Sequence, residues 1–333
     1  MAIFDGHNDL LLNLWLHHRE DPVSAFFAGI ENGHLDYPRM LQGGFAGGLF
    51  ALFVPPQEYI ARMTPQYASQ RWDPIDILWQ QLAILKQLIA HSAGRLRLCL
   101  SAADIERCRE DKVLAMVAHI EGAGGFDARA ATCRPFMPPG SAALVRSGIL
   151  RTASAAALTV RFPVAPDTGP GLTAAGIDLI KQVNALKMQM DVSHMNEKAF
   201  WIPPITQRHR WWPPTPMPTP VPAAAQSDRP ATAGDPRQRR RGGRQFRAML
   251  SCAPTARRDR RHRPLTTIVR HIDYLINIMG EDHVALGSDL TASPCRTSWA
   301  MWPAYRGLSI RCALAAMINW CWISCCGVTG YGY

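Results

Sequence analysis

Apolar runs of strand length alternate with helical segments through much of this chain, and that alternation limits the fold more than any other feature. Phe45 to Val54, Arg95 to Leu100 and Val113 to Ile120 each read as a strand. Asp73-Pro74 opens a helix with a capping side chain and a proline at its first position. Ile75, Leu78, Leu82, Leu85 and Ile89 then follow at helical spacing, and Gly94 stops the helix. The same text resumes later. Thr173 caps a helix running through Met188, and Met190 to His194 forms a strand. Ile268, Ile272, Leu275 and Met279 mark a helix ending at Gly280, and His283 to Gly287 forms the strand after it. Strand-helix-strand alternation predicts a parallel sheet covered by helices. A chain of 333 residues is long enough for one large α/β domain or two ordinary ones.

The strands share a second property, which is that several end in polar groups. His7 and Asp9, Glu121, His194 and Asp289 all follow apolar runs at their carboxyl ends. In a (β/α)8 barrel those ends make the active-site face. A spread from residue 7 to residue 289 suits a closed barrel, in which the first and last strands meet. The expected fold is therefore a single (β/α)8 TIM-type barrel spanning 1–333. A doubly wound open sheet is the runner-up, but no Gly-rich phosphate loop follows the first strand.

Each polar end has a plain reading beside the chemical one. In His7-Asn8-Asp9, alternate strand residues point the same way, so imidazole and carboxylate can hold one metal ion. A polar turn after a strand accounts for them equally well. Glu121 can bridge two cations, or it is a salt-bridged acid. His194 is a metal ligand or a satisfied core histidine. Asp289 is a reactive carboxylate or a helix N-cap.

Three stretches have a different character: about 124–160, 202–264 and 290–333. They are rich in Arg, Pro, Ala, Trp, Cys and Ser and poor in periodicity. The net charge of +10 comes from one of them. Residues 203–264 hold fourteen Arg, three Asp, no Lys and no Glu, which leaves the rest of the chain near −1. The same residues hold twelve prolines. Loops of this length are uncommon inside a compact α/β domain, and translation in a shifted reading frame is the preferred explanation. The readable text is then 1–123, 164–201 and 265–289. Residues 203–264 are predicted to be irregular and disordered, because Pro removes backbone donors and Arg removes apolar burial. Arg237 to Arg247 can contact RNA phosphates and stack on bases, but it lies inside shifted text, and no nucleic-acid partner is expected.

Nine cysteines without a C-x-x-C pair argue against a zinc ribbon and a secreted disulfide framework. No apolar run reaches the length of a membrane span. Met1 to His7 runs directly into polar residues without a signal-like segment, so a cytoplasmic location is the expectation.

Taken together, the polar ends are specific. Phe4-Asp5-Gly6-His7-Asn8-Asp9, His119-Ile120-Glu121-Gly122, Asp191-Val192-Ser193-His194 and Ala285-Leu286-Gly287-Ser288-Asp289 occur in that order, with Pro166 to Thr173 among them. This set closely resembles the membrane dipeptidase (renal dipeptidase) family of metallopeptidases, over somewhat more than half the chain. The resemblance implies a (β/α)8 barrel with two zinc ions that hydrolyses dipeptides through a metal-activated water. By it, His7 and Asp9 hold the first zinc, Glu121 bridges, His194 holds the second, and Asp289 is the active-site aspartate that moves the proton. It assigns no substrate-binding residue here, names a dipeptide as partner, and leaves a homodimer open.

The family pattern also needs a second imidazole on the second zinc, and its place falls on Thr215. The genetic code accounts for this. Trp211 to Thr219, read from the last base of each codon into the next, can give Val-Ala-x-His-x-Asn-Ala-His. The family has Ser-His-Ser-Asn-Ala-His there, and the missing histidine straddles Pro214 and Thr215. Leu290 to Tyr305 passes the same test. As written, the second metal site is expected to be impaired. The alternatives are an inactive or misfolded frame-shifted product and, behind it, a basic nucleic-acid-binding protein.

Overall fold

The computed structural model describes residues 3–31, 33–122 and 170–185, with strand segments at 144–146, 189–191, 211–212, 248–250 and 284–286. The predicted irregular stretch 203–264 and the segments 124–160 and 290–333, read above as shifted in frame, lie almost wholly outside the described residues. Strand β1 (Ile3–Asn8) leads into α1 (Leu10–His17), α2 (Pro22–Ala28) and α3 (Tyr37–Gly43). Strand β2 (Phe45–Phe53) is followed by α4 (Gln57–Met63) and the long α5 (Pro74–Ala90). Then come β3 (Leu96–Leu98), α6 (Ala102–Asp111) and β4 (Leu114–Glu121). Later elements are β5 (Leu144–Arg146), α7 (Ala174–Ala185), β6 (Gln189–Asp191), β7 (Trp211–Trp212), β8 (Ala248–Leu250) and β9 (Val284–Leu286).

Helices α2, α3, α5 and α6 begin where short polar side chains offer an acceptor to the orphan N–H groups of the first turn. Asp21 accepts from Ser24 N at 3.0 Å, and Asp36 from Arg39 N at 2.9 Å. Asp73 accepts from Ile75 N at 2.9 Å, and Ser101 from Asp104 N at 3.2 Å. Thr173 does the same for α7, with Gly176 N 3.1 Å from its hydroxyl. The predicted cap of α5 and the cap of α7 are thus both present. Buried Asp36 also takes the N–H of Ile30 at 3.0 Å and pairs with Arg39, which ties α3 back to the loop before it.

The sheet is parallel at every pairing. Its order is β1-β2-β4-β5-β6-β7, with β3 also on β4, and β8 pairs with β9 separately. Strand β9 comes within packing distance of β1. β4 is the axis. β2 runs along one of its edges from Ala115 to Glu121. The other edge is divided: β3 takes Leu114 to Met116, and β5 takes His119 to Glu121. Register then carries a row of strand ends across the sheet, through Phe53, Glu121, Arg146, Asp191 and Trp212.

All eight residues of β4 are buried, as a parallel strand covered on both faces requires. Met116, Ala118 and Ile120 face the larger apolar cluster, where α1 (Leu10, Leu14, Trp15) and α5 (Leu78, Leu85, Leu88) pack on Phe50 and Leu52. Ala115 and Val117 face a smaller cluster of Leu49, Cys99, Ile105 and Cys108. The sulfurs of Cys99 and Cys108 lie 3.5 Å apart as free thiols. Their contact, with burial, pushes the Cys99 thiol well above its ordinary range, and the same contact draws Cys108 down against the effect of burial. By strand alternation His119 and Glu121 continue that second face toward the carboxyl end of β4. One face of one strand therefore changes from apolar to ionisable halfway along.

Two glycines show how tightly the strands approach. A Cβ on Gly47 would meet the carbonyl oxygen of Ala115 at 2.6 Å, and one on Gly48 would meet that of Asp5 at 2.7 Å. These are backbone atoms in adjacent strands and have little room to yield. We expect Gly47→Ala to force β2 and β4 apart and to cost about 1–3 kcal/mol of stability, in the range of overpacked cores. Equilibrium urea unfolding measures it, and a wild-type midpoint would disprove the close approach.

Candidate metal centre

The site is built from two strand ends. His7 lies on β1, and Asp9 is the residue just before α1. Glu121 is the last residue of β4. His7, Asp9 and Glu121 are 2%, 3% and 4% exposed. His7 Nε2 lies 3.3 Å from Glu121 Oε2 and 3.8 Å from Asp9 Oδ2. One ligand atom from each of the three lies within 4.8 Å of the other two. Two carboxylates and an imidazole sum to −1 even with the imidazole protonated. Holding such a set out of water is costly unless a cation joins it.

The backbone is shaped to bring these groups together. The register between β1 and β2 shifts between Asp5 and Asn8, an irregularity of the kind that re-aims side chains beside functional sites. Asn8, fully buried, fixes that turn. Its amide nitrogen reaches Asp5 Oδ2 at 3.2 Å and the Leu49 carbonyl at 3.3 Å, and its oxygen accepts from Leu10 N at 3.4 Å. On the other side, Gln81 of α5 grips the end of β2. Phe53 N donates to Gln81 Oε1 at 2.9 Å, and Gln81 Nε2 donates to the Phe53 carbonyl at 2.6 Å. Phe53 is the register partner of Glu121, so the helix pins the strand end beside the ligand.

Asp9 stands out among the helix-capping positions. Asp21, Asp36 and Asp73 all accept a hydrogen bond from their own helix, but Asp9, at the equivalent place before α1, makes no such bond. Its carboxylate is turned toward His7 instead. Giving up a cap forgoes about 1 kcal/mol, and a side chain that breaks the local rule without structural gain marks a functional position.

The structure thus brings together three of the five residues singled out from the sequence. His194 and Asp289 lie outside the described residues, as does Thr215. The strands before the first two are in place: β6 ends at Asp191 in the row of Glu121, and β9 ends at Leu286. Asn8 and His119 stand in the sequence strings above but are given no role there, and Gln81 is not singled out. His119 sits two residues before Glu121, hence on the same face, and Gln81 is a polar residue on the apolar side of α5 among Leu78, Leu82 and Leu85. Those patterns mark buried polar positions, but the roles come from partners distant in the chain.

We expect Asp9→Asn, in metal-free protein, to be at least as stable as the wild type, since it relieves one buried carboxylate and removes no cap. Asp73→Ala should instead lose about 1 kcal/mol. Thermal unfolding in the presence of chelator compares the two. An Asp9→Asn loss as large as that of Asp73→Ala would show that Asp9 serves its helix after all.

Residues 1–202 match the membrane dipeptidase family, peptidase family M19. An uncharacterized protein from the pqqA 5′ region of Klebsiella pneumoniae is 60% identical over 220 residues, which are 65% of this chain and 80% of that protein. The crystal structure of a metallopeptidase from Rhodobacter sphaeroides, liganded with a phosphinate mimic of the dipeptide L-Ala-D-Ala, superposes with a TM-score of 0.74. It is 26% identical and covers 98% of this chain and 99% of its own. The structure of the metallopeptidase dipeptidase AC, of family M19, is 25% identical with a TM-score of 0.73 and covers 98% of this chain and 99% of its own.

Proposed function

Because the chain belongs to the membrane dipeptidase family, peptidase family M19, we propose that it is a zinc-dependent hydrolase of dipeptides. The observation that carries this reading is the buried trio of His7, Asp9 and Glu121, whose donor atoms are close enough to share one cation. Imidazole nitrogen and carboxylate oxygen are a donor set that suits zinc. The proposed frame is a closed (β/α)8 barrel with the site at its carboxyl face. In support, the described strands other than β3 follow one another in chain order, all pairings are parallel, and β9 lies against β1. Among the described residues no helix is long and apolar enough to cross a membrane.

In this reading His7 and Asp9 hold a cation from the β1 side and Glu121 holds it from the β4 side. His194 adds an imidazole for a second ion. When bound, such ions supply Lewis acidity, which makes a water more acidic and polarises the peptide carbonyl. Burial of the trio keeps bulk water from competing for the donors. Asp289 takes the proton that the attacking water gives up and delivers it to the leaving amine as the C–N bond breaks. A dipeptide is the proposed substrate class, and the dipeptide mimic held by the Rhodobacter sphaeroides enzyme motivates L-Ala-D-Ala as the first compound to assay.

We also propose that the chain as written is weakened by text in a shifted frame at about 124–160, 202–264 and 290–333. The family match ends at residue 202, where the Arg- and Pro-rich stretch starts, and Thr215 stands where the second imidazole belongs. Sequencing the coding DNA decides whether single-base changes restore all three stretches.

We expect His7→Ala and Glu121→Gln to lose bound zinc and with it dipeptide hydrolysis, and Asp289→Asn to keep zinc but lose at least about 100-fold in rate, the scale of a lost acid–base group, each relative to the same chain without the substitution and with its frame repaired. Metal content by elemental analysis and release of free alanine measure the two effects. Repair of the frame should raise zinc content and rate together. If the chain as written already holds two zinc ions and matches the repaired rate, the assignment of Thr215 fails.

A further inference from the structure

His119 had no part in the reading above, yet it is fully buried and touches the centre. Its Nδ1 lies 3.3 Å from Nδ1 of His7. The two rings meet edge to face, with centroids 5.1 Å apart and an interplanar angle of 76°. His119 is 0% exposed and His7 is 2% exposed. The contact joins residues 112 positions apart, on β1 and β4, so it is a product of the fold and not of local chain geometry.

The chemistry of the two nitrogens of His7 assigns the direction of this contact. Its Nε2 faces Glu121 and Asp9. To give a lone pair to a cation there, Nε2 must be unprotonated, and a neutral imidazole then carries its proton on Nδ1. That N–H is buried and needs an acceptor, and His119 Nδ1 lies within reach. His119 in turn must carry its own proton on Nε2, which is also buried, so the demand of the cation for the lone pair of His7 Nε2, and not burial, decides the direction. The opposite direction, with His119 donating to His7, would put the proton of His7 on Nε2 and turn an N–H toward the place of the cation.

We propose that His119 is a positioning residue of the metal centre: its Nδ1 accepts the Nδ1–H of His7, which fixes the tautomer and orientation of His7 with Nε2 turned toward Asp9 and Glu121. Histidine ligands usually make such a bond to a carboxylate, a backbone carbonyl or a water, and loss of the partner typically weakens metal binding about 10–100-fold. Here a second imidazole does the task. The inference rests on the reading that a cation sits among His7, Asp9 and Glu121, and it names what orients the imidazole.

The test uses the full chain and zinc itself. On 15N-histidine-labelled, zinc-loaded wild type, long-range 1H–15N correlation spectra should show His119 protonated at Nε2 and bare at Nδ1. A His119 protonated at Nδ1 overturns the proposal, and this measurement needs no variant to fold. Zinc affinity by competition with a chelator is the second arm. His119→Leu should bind zinc about 10–100-fold more weakly. His119→Asn, whose Oδ1 takes the place of the imidazole Nδ1, should retain most of the affinity. Equal losses in the two variants would reduce His119 to a packing residue, and no loss in His119→Leu would remove it from the centre. If the wild type takes up no zinc, the reading of the site falls and this inference with it. If the wild type binds and His119→Leu binds as well, the inference alone falls.

Discussion

Strand β4 is buried on both faces and paired on both edges, and the rest of the molecule is arranged around that fact. A strand so placed has no freedom to slip, because a shift of one residue would exchange its apolar and ionisable faces. Met116, Ala118 and Ile120 are held by the larger apolar cluster, and Ala115 and Val117 by the smaller one. His119 and Glu121 are then delivered to the end of the second face with no further choice. Close approach by the glycines of β2 sets the distance to β1, and so the distance at which His7 and Asp9 meet Glu121.

Against that rigid background the ionisable groups are placed where folding alone would not put them. Two carboxylates and two imidazoles share an enclosed space at the ends of β1 and β4. Other acids of similar size cap helices or pair with arginine on the surface, as Asp21 and Asp111 do. The contrast is one of use: a side chain that could quiet the first turn of α1 is turned toward a charge cluster. Such local disagreement with the demands of stability is characteristic of sites kept for chemistry.

What could be read in the sequence followed from short-range rules. Apolar runs of strand length ending in His, Asp or Glu disclosed His7, Asp9 and Glu121, because strand ends are local properties. The cap at Asp73 and the start of α7 at Thr173 were legible for the same reason. The residues that orient the site were not. His119 and Gln81 acquire their roles only from partners 112 and 28 positions away, and neither partner is written nearby. Strand β3 also misleads: Arg95 to Leu100 reads as an ordinary member of the sheet, but the strand is three residues long and holds only the first part of one edge of β4. Propensity cannot tell a full strand from a short side branch, since both want the same residues.

The three donors gathered in the site all lie within the first 121 residues, the same segment that supplies most of both apolar clusters. A ribosome makes that segment first and reads the Arg- and Pro-rich text long afterwards. Whatever happens to the message downstream, each copy synthesised carries the donor set at its beginning. On the proposed reading, a family member interrupted late in its gene would keep His7, Asp9 and Glu121 while losing Asp289, and so would part the proposed metal donors from the proposed proton carrier.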